Sequence, residues 1–306
     1  MLEAPACADL DAVVQALGDL PGRVSFLIRR LDRDAGILAA LNADEALAVG
    51  TAATLFTLGA LVDEIATGRR TWADVVTLQE RWKSLPPGLI QDWPGGSPLT
   101  FHSLATLMVA HGDLTAADHV LLALGREAVE QRLIMLGVAA PQRSLPILAT
   151  REQFMVKFGP DLDAYLAKDT LGRRAYLAAG NITQQKLANV ELDANPRAVS
   201  TLGWFASAAD MIRTMTWLQG NTEGGEASRA RRILGVLPGP ARPDKQAWPY
   251  VGYKGGAEPG VLSLNYLLRS AKGGWFALSA TWNDETAPLD EARFIELVAK
   301  AIALTR

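Results

Sequence analysis

The hydrophobic residues of this chain change their repeat twice. Val24-Ser-Phe-Leu-Ile-Arg-Arg-Leu31 and Ile37-Leu-Ala-Ala-Leu41 are strand-like and flank the polar cluster Asp32-Arg-Asp-Ala-Gly36, the pattern of a β-hairpin. From Gly50 to about Leu237 the spacing is helical, with polar or Pro/Gly punctuation between segments. After Pro238-Gly-Pro-Ala-Arg-Pro243 the strand pattern returns in Tyr250–Tyr253, Val261–Arg269 and Gly274–Thr281, with Lys272-Gly273-Gly274 at the last turn. A lone hairpin is marginal, so the two strand groups must pair in one sheet. The helical block then interrupts that sheet between its second and third strands. The expected fold is α/β (α+β): a five-stranded antiparallel sheet with terminal helices and an inserted all-α subdomain. Residues 1–49 and 238–306 would form the sheet part and 50–237 the helical part, together one domain.

Within the block, Thr51–Ile65 is apolar on nearly every side, as a helix in the middle of a domain would be. Phe101–Ala110, Ala116–Leu124, Glu127–Leu136, Leu162–Ala167, Ala209–Leu218 and Glu226–Leu234 are further helices. Asp9–Leu17 and Leu289–Leu304 are the terminal ones. Thr100 is placed to cap the first of the block's later helices, and Thr71–Asp74 and Ser207–Asp210 have the spacing of capping boxes. Lys83–Leu99, rich in Pro and Gly, reads as a loop.

Composition closes off several function classes. With 30 Lys+Arg against 33 Asp+Glu there is no broad basic field, and nucleic acid is not expected as a partner. The single cysteine, Cys7, allows no internal disulfide and reads as inert. His102, His111 and His119 are too far apart for a helical metal pair, so no metal or other cofactor is expected. The run Arg229-Ala-Arg231-Arg232 reads as a solvated face. No stretch is long and apolar enough to span a membrane, and the first residues lack a signal-peptide pattern. The expected location is the cytoplasm, or the periplasm or exterior where a leader precedes the mature chain. Oligomeric state stays open.

Three local segments carry a family likeness. Ala48-Val-Gly-Thr-Ala-Ala-Thr-Leu-Phe-Thr-Leu-Gly-Ala-Leu61 starts a buried helix. Met108-Val-Ala-His-Gly-Asp-Leu-Thr-Ala-Ala-Asp118 joins two helices. Val251-Gly-Tyr-Lys-Gly-Gly-Ala257 lies on a strand. In this order and context they resemble the S-x-x-K, S-D-N and K-T-G segments of the class A β-lactamase and penicillin-binding-protein superfamily of serine acyl-transferases. The resemblance runs from about Val24 to Leu304. It implies a cleft holding Thr51, Asp113, Gly203 and Lys254. It also implies an oxyanion hole from the backbone N–H groups of Thr51 and Ala257, and a carboxylate site at Lys254.

The family's reactive side chains are replaced. Thr51 and Thr54 stand at the S-x-x-K positions, and a threonine nucleophile needs a base that the Thr54 hydroxyl does not provide. Gly112-Asp113-Leu114 stands at S-D-N, where neither Gly112 nor Leu114 offers a polar side chain. Gly203, in Gly203-Trp204-Phe205, matches the point where related sequences often read Glu-Trp-Phe; Glu191 is a second candidate for that carboxylate.

Plainer roles stand beside these: Thr51 as a helix cap, Asp113 as a loop acid capping Ala116, and Lys254 as a solvated strand-end lysine. Asp118 and His119 read as structural or surface residues. His111 is a candidate replacement base at the cleft mouth. Lys254, Gly256, Ala257, Trp204 and Tyr253 are the candidate substrate-binding residues, and Thr51, Thr54, Asp113 and His111 the candidate catalytic ones.

The leading expectation is a protein of this fold without serine–lysine acylation, binding or non-covalently transforming an anionic or carbonyl-bearing small molecule. A hydrolase or acyl-transferase using Thr51 with His111, Glu191 or Lys254 as base is the alternative. A structural or partner-binding pseudoenzyme is the third reading.

Overall fold

A computed structural model describes residues 4–32, 36–180 and 194–305 of the chain. Helix α1 (Ala4–Gly18) leads into the hairpin β1 (Arg23–Arg30) and β2 (Ile37–Leu41). A short strand β3 (Leu47–Ala48) and a 3-10 turn (Gly50–Ala53) then enter α2 (Thr54–Ala66). The helical segment continues through the short strands β4 (Val75–Thr77) and β5 (Pro98–Thr100) to α3 (Phe101–Ala110), α4 (Leu114–Leu124) and α5 (Arg126–Met135). Next come α6 (Thr150–Phe158), α7 (Leu162–Leu166), α8 (Thr170–Ala178) and the two-residue strand β6 (Phe205–Ala206). It ends with α9 (Ala208–Asn221) and α10 (Ser228–Leu234). The strands β7 (Tyr250–Glu258), β8 (Val261–Arg269) and β9 (Trp275–Asn283) and the helix α11 (Glu291–Leu304) complete the chain.

The five long strands form one sheet in the order β2-β1-β9-β8-β7, with antiparallel neighbours throughout. Alternation along each strand sorts its residues to two faces. Val24, Phe26 and Ile28 of β1, with Leu262, Leu264, Leu278 and Ala280, pack beneath α1 and α11 in one core. Leu27, Leu267 and Ala277 point the other way and join Met211, Ile212 and Met215 of α9 and the buried helix α2 in a second core.

That second face also carries a buried polar ladder, fully hydrogen-bonded as burial requires. Ser263 Oγ and Thr281 Oγ1 lie 2.9 Å apart. Ser279 Oγ donates to Asn265 Oδ1 at 2.8 Å, and Asn265 Nδ2 donates to Ser263 Oγ and to the Lys254 carbonyl.

The helical segment is not purely helical. β4 pairs with β5, and β6 pairs with β3. Two helices escape the periodicity reading. α6 buries Arg151, Glu152, Gln153 and Lys157, so it has no continuous apolar stripe; Glu152 pairs with Arg126 and Lys157 with Glu258. α8 buries nothing and starts at Asp169, whose carboxylate accepts from Gly172 N–H. Strand β7 runs well past the Tyr250–Tyr253 expected, through Gly255 and Gly256, because its pairing with β8 continues to Glu258. The Thr100 cap and the Ser207–Asp210 box form as read. Thr71 and Asp74 bond each other too, but they close a turn and cap no helix.

Asn283, at the end of β9, fastens the entry to α2. Its side chain accepts from Ala48 N–H at 2.8 Å and donates to Ala48 C=O at 2.9 Å. Asn283→Ala strands both groups, so we expect a loss of about 1–3 kcal/mol in unfolding free energy, read by urea denaturation with an unchanged m-value.

Candidate functional site

The site begins with two backbones in contact. Gly256 on β7 lies flush against the Gly50–Ala53 turn: a Cβ there would sit 2.2 Å from the Val49 carbonyl oxygen and 2.3 Å from Ala52 N. From the other side Gly50, at φ +53°, would bring a Cβ to 3.1 Å from Ala257 N. Only glycine tolerates both the approach and the left-handed backbone. Gly256 was a candidate substrate-binding residue; the space that its missing side chain leaves is taken by the protein's own turn. The contact sets Thr51 beside Gly256 and Ala257.

A cleft of about 300 Å³ opens at this junction. Thr51, His111, Gly112, Tyr253, Lys254, Gly256 and Ala257 line it, with Pro87, Val109, Leu114 and Phe154 as apolar walls. Among the described residues the lining contains no carboxylate. Lys254 is 3% exposed, and its Nζ donates to the Gly255 carbonyl at 2.8 Å. It makes no ion pair among the described residues, and burial alone pushes its ammonium down to about 8. A solvated strand-end lysine is therefore not what the structure contains. Tyr253 lies over Gly255 and against Tyr266, with ring centroids 4.8 Å apart. Burial pushes its hydroxyl pKa upward. His111 ends α3 and stands exposed at the cleft rim.

Other expected residues lie elsewhere. Asp113 is fully buried: its carboxylate accepts from Leu89 N–H (2.6 Å), Ile90 N–H (3.1 Å) and Ala116 N–H (2.8 Å). These three bonds tie the Pro-rich loop to α4 and leave the acid out of the cleft. Trp204 also lies outside it, with its indole N–H on the Leu148 carbonyl at 3.1 Å. Gly203 faces Glu258, whose Oε1 would be 3.9 Å from an added Cβ. Glu191 falls outside the described residues. Thr51 caps nothing, because it sits inside the 3-10 turn, whose start has no side-chain cap. Thr54 Oγ1 turns back to donate to Thr51 C=O at 2.8 Å.

The residue that sequence reasoning missed is Asp118. It is 1% exposed on α4 and lines a second, small cavity with Thr51, Thr54, Thr57, Thr150 and Trp204. Its Oδ1 accepts from Thr150 N–H at 2.6 Å and its Oδ2 from Arg151 N–H at 2.9 Å, at the start of α6. Burial pushes the acid up to about 7 against those two donors. An acid facing inward from an apolar helix was the available signal. His119 beside it is a satisfied buried histidine, bonded to Thr115 C=O and Gln79 N–H. No group of three His, Cys, Asp or Glu among the described residues could hold a metal ion.

A model of the beta-lactamase enzyme family matches residues 8–245. The chain belongs to this family. No curated protein matches its sequence. Beta-lactamase-type solved structures share its fold at low identity. A β-lactamase from Sphaerobacter thermophilus is 15% identical at TM-score 0.68, covering 97% of this chain and 94% of that one. The structure of PBP-A gives the same four figures. The TLA-3 extended-spectrum β-lactamase is 12% identical at TM-score 0.68, over 97% and 96%. The resemblance read from the three segments is thus confirmed for family and fold, five-stranded sheet included. No helix of the described residues is long and apolar enough to cross a membrane.

A buried, unpaired ammonium has a thermodynamic signature. Lys254 holds its proton less tightly when folded than when unfolded, so stability rises as pH climbs from about 8 towards 10.5. Lys254→Met should therefore stabilise the protein at pH 7 by roughly 1–3 kcal/mol. The advantage should shrink across that window, as measured by denaturant unfolding at stepped pH.

Proposed function

We propose that this beta-lactamase-family protein binds a small carboxylate with an apolar body in the cleft beside Thr51, without lactam acylation. The observation that carries the reading is Lys254: a buried cation that, among the described residues, has neither an acidic partner nor a carboxylate on the walls of its cleft. An incoming carboxylate would supply the missing counter-charge, and burial makes such a pair stronger than its exposed equivalent. Pro87, Val109, Leu114 and Phe154 offer the apolar contact that orients the rest of the ligand. At about 300 Å³ the cleft has room for a small molecule, which speaks against a scaffold plugged by its own side chains.

Loss of lactam chemistry rests on three positions. Thr54 is hydrogen-bonded to the backbone and carries no charge; Gly112 and Leu114 carry no side-chain donor. Opening a lactam needs a base for the attacking hydroxyl and an acid for the departing nitrogen. Benzylpenicillin incubated with the protein should leave no adduct; a mass increase on the Thr51 peptide would overturn this part of the proposal.

Phenylacetate is a suitable probe of the binding part. Calorimetry should find binding at pH 7 that weakens about tenfold per pH unit well above pH 8, as Lys254 loses its proton. Phenylacetamide and the Lys254→Met variant should not bind. Equal affinity for acid and amide would refute the carboxylate assignment.

A further inference from the structure

Thr51 is the common wall of two spaces. One side faces the open cleft, the other the small cavity with Asp118. The cavity measures about 20 Å³, and Thr51, Thr54, Thr57, Asp118 and Thr150 stand in its lining among apolar residues such as Leu121, Ile147 and Leu148. That is room for one water, with the Thr51 hydroxyl and the Asp118 carboxylate as polar partners. Thr51 Oγ1 makes no hydrogen bond to another described residue, whereas Asp118 accepts from two backbone N–H groups and the Thr150 hydroxyl and retains lone pairs for a further donor.

We propose that Asp118, through one water in this cavity, takes the proton of the Thr51 hydroxyl and lets the cleft hydrolyse esters with good leaving groups. The attack forms a bond from Thr51 Oγ1 to the ester carbonyl carbon. The hydroxyl proton passes to the water, and a proton of that water passes to the Asp118 carboxylate. Collapse of the adduct breaks the carbonyl–aryloxy bond and expels the aryl oxide, which leaves with its electron pair and needs no proton. Water then adds to the acyl–threonine, and one of its protons returns to Thr51 Oγ1 as that bond breaks. The product is a carboxylic acid that ionises, and Asp118 gives its proton back to solvent. An aryl oxide leaves without a proton, so the step makes no demand on Gly112 and Leu114, which carry no side-chain donor on the cleft wall. Activated esters are therefore the substrates this step suits.

The charged groups acting on Asp118 come from α6: Arg151, which favours the carboxylate, and Glu152, which opposes it and is itself paired with Arg126 of α5. From α2, Thr54 and Thr57 contribute hydroxyls only. Asp118 must be ionised to accept the proton, so the rate should rise through about pH 7 and level off above it.

The test uses 4-nitrophenyl acetate, a neutral ester, so its outcome does not depend on the carboxylate reading of Lys254. The full chain should release 4-nitrophenolate above the buffer rate, with an acetyl group trapped on Thr51 in quenched, digested samples. Thr51→Val, close in shape, should abolish both. Asp118→Asn, which keeps one acceptor oxygen for the α6 N–H groups, should lower the rate at least tenfold and flatten the rise near pH 7. Asp118→Glu should restore part of the rate and the rise, and circular dichroism checks that each variant is folded. A folded Asp118→Asn variant with the parent's rate and pH profile, acetyl groups only at residues other than Thr51, or no rate above buffer would each overturn the proposal.

Discussion

The site depends on one steric condition: the turn before α2 must touch the edge strand β7 main chain to main chain. Gly256 and Gly50 meet that condition from opposite sides, each leaving no space for a side chain. The contact places Thr51, Gly256 and Ala257 on one cleft wall and turns Lys254 into the protein interior. Behind it the Asn265 amide bonds the Lys254 carbonyl, and Asn283 holds Ala48 just before the turn. This end of the cleft is thus built mostly of backbone, so its frame depends little on which side chains Thr51, Thr54 and Gly112 contribute.

Charge placement follows from the same packing. The strand that must lie flush against the turn carries Lys254 into a region where no described residue supplies a counter-ion. Asp118 is likewise carried inward by α4 and held at the first N–H groups of α6, where the helix dipole and two hydrogen bonds offset part of its desolvation. One cation unpaired among the described residues and one buried acid stand on the two sides of Thr51. Both hold their protons differently from free side chains, and at physiological pH each is close to its titration range.

The sheet was legible because strands buried on both faces leave short apolar, β-rich runs bounded by turn residues, and such runs at the two ends of the chain could only be satisfied by pairing. Phe101–Ala110 was legible for the matching reason, an apolar run behind a threonine cap. α6 was not, since its buried positions are polar and are neutralised by partners far away in sequence, Lys157 by Glu258 among them. Lys254 and Asp113 were both visible as candidates, yet only coordinates distinguish a cation without a partner from an acid with three donors. Asp118 was passed over because its place on the inward face of an apolar helix marks it as buried but not as lining a cavity. Trp204 was assigned to the cleft from its neighbourhood in sequence, but its indole anchors to Leu148 on the far side of Thr51.

The Asp113 clamp also bears on how a molecule would arrive. Its carboxylate holds Leu89 and Ile90, and Leu114 N–H donates to the Pro87 carbonyl, so the Pro-rich loop is fastened at the cleft rim rather than draped over it. An entrance already fixed in shape imposes no ordering cost at the moment of encounter. Association should then proceed in one kinetic phase, with the rate proportional to ligand concentration and no plateau from a gate opening first.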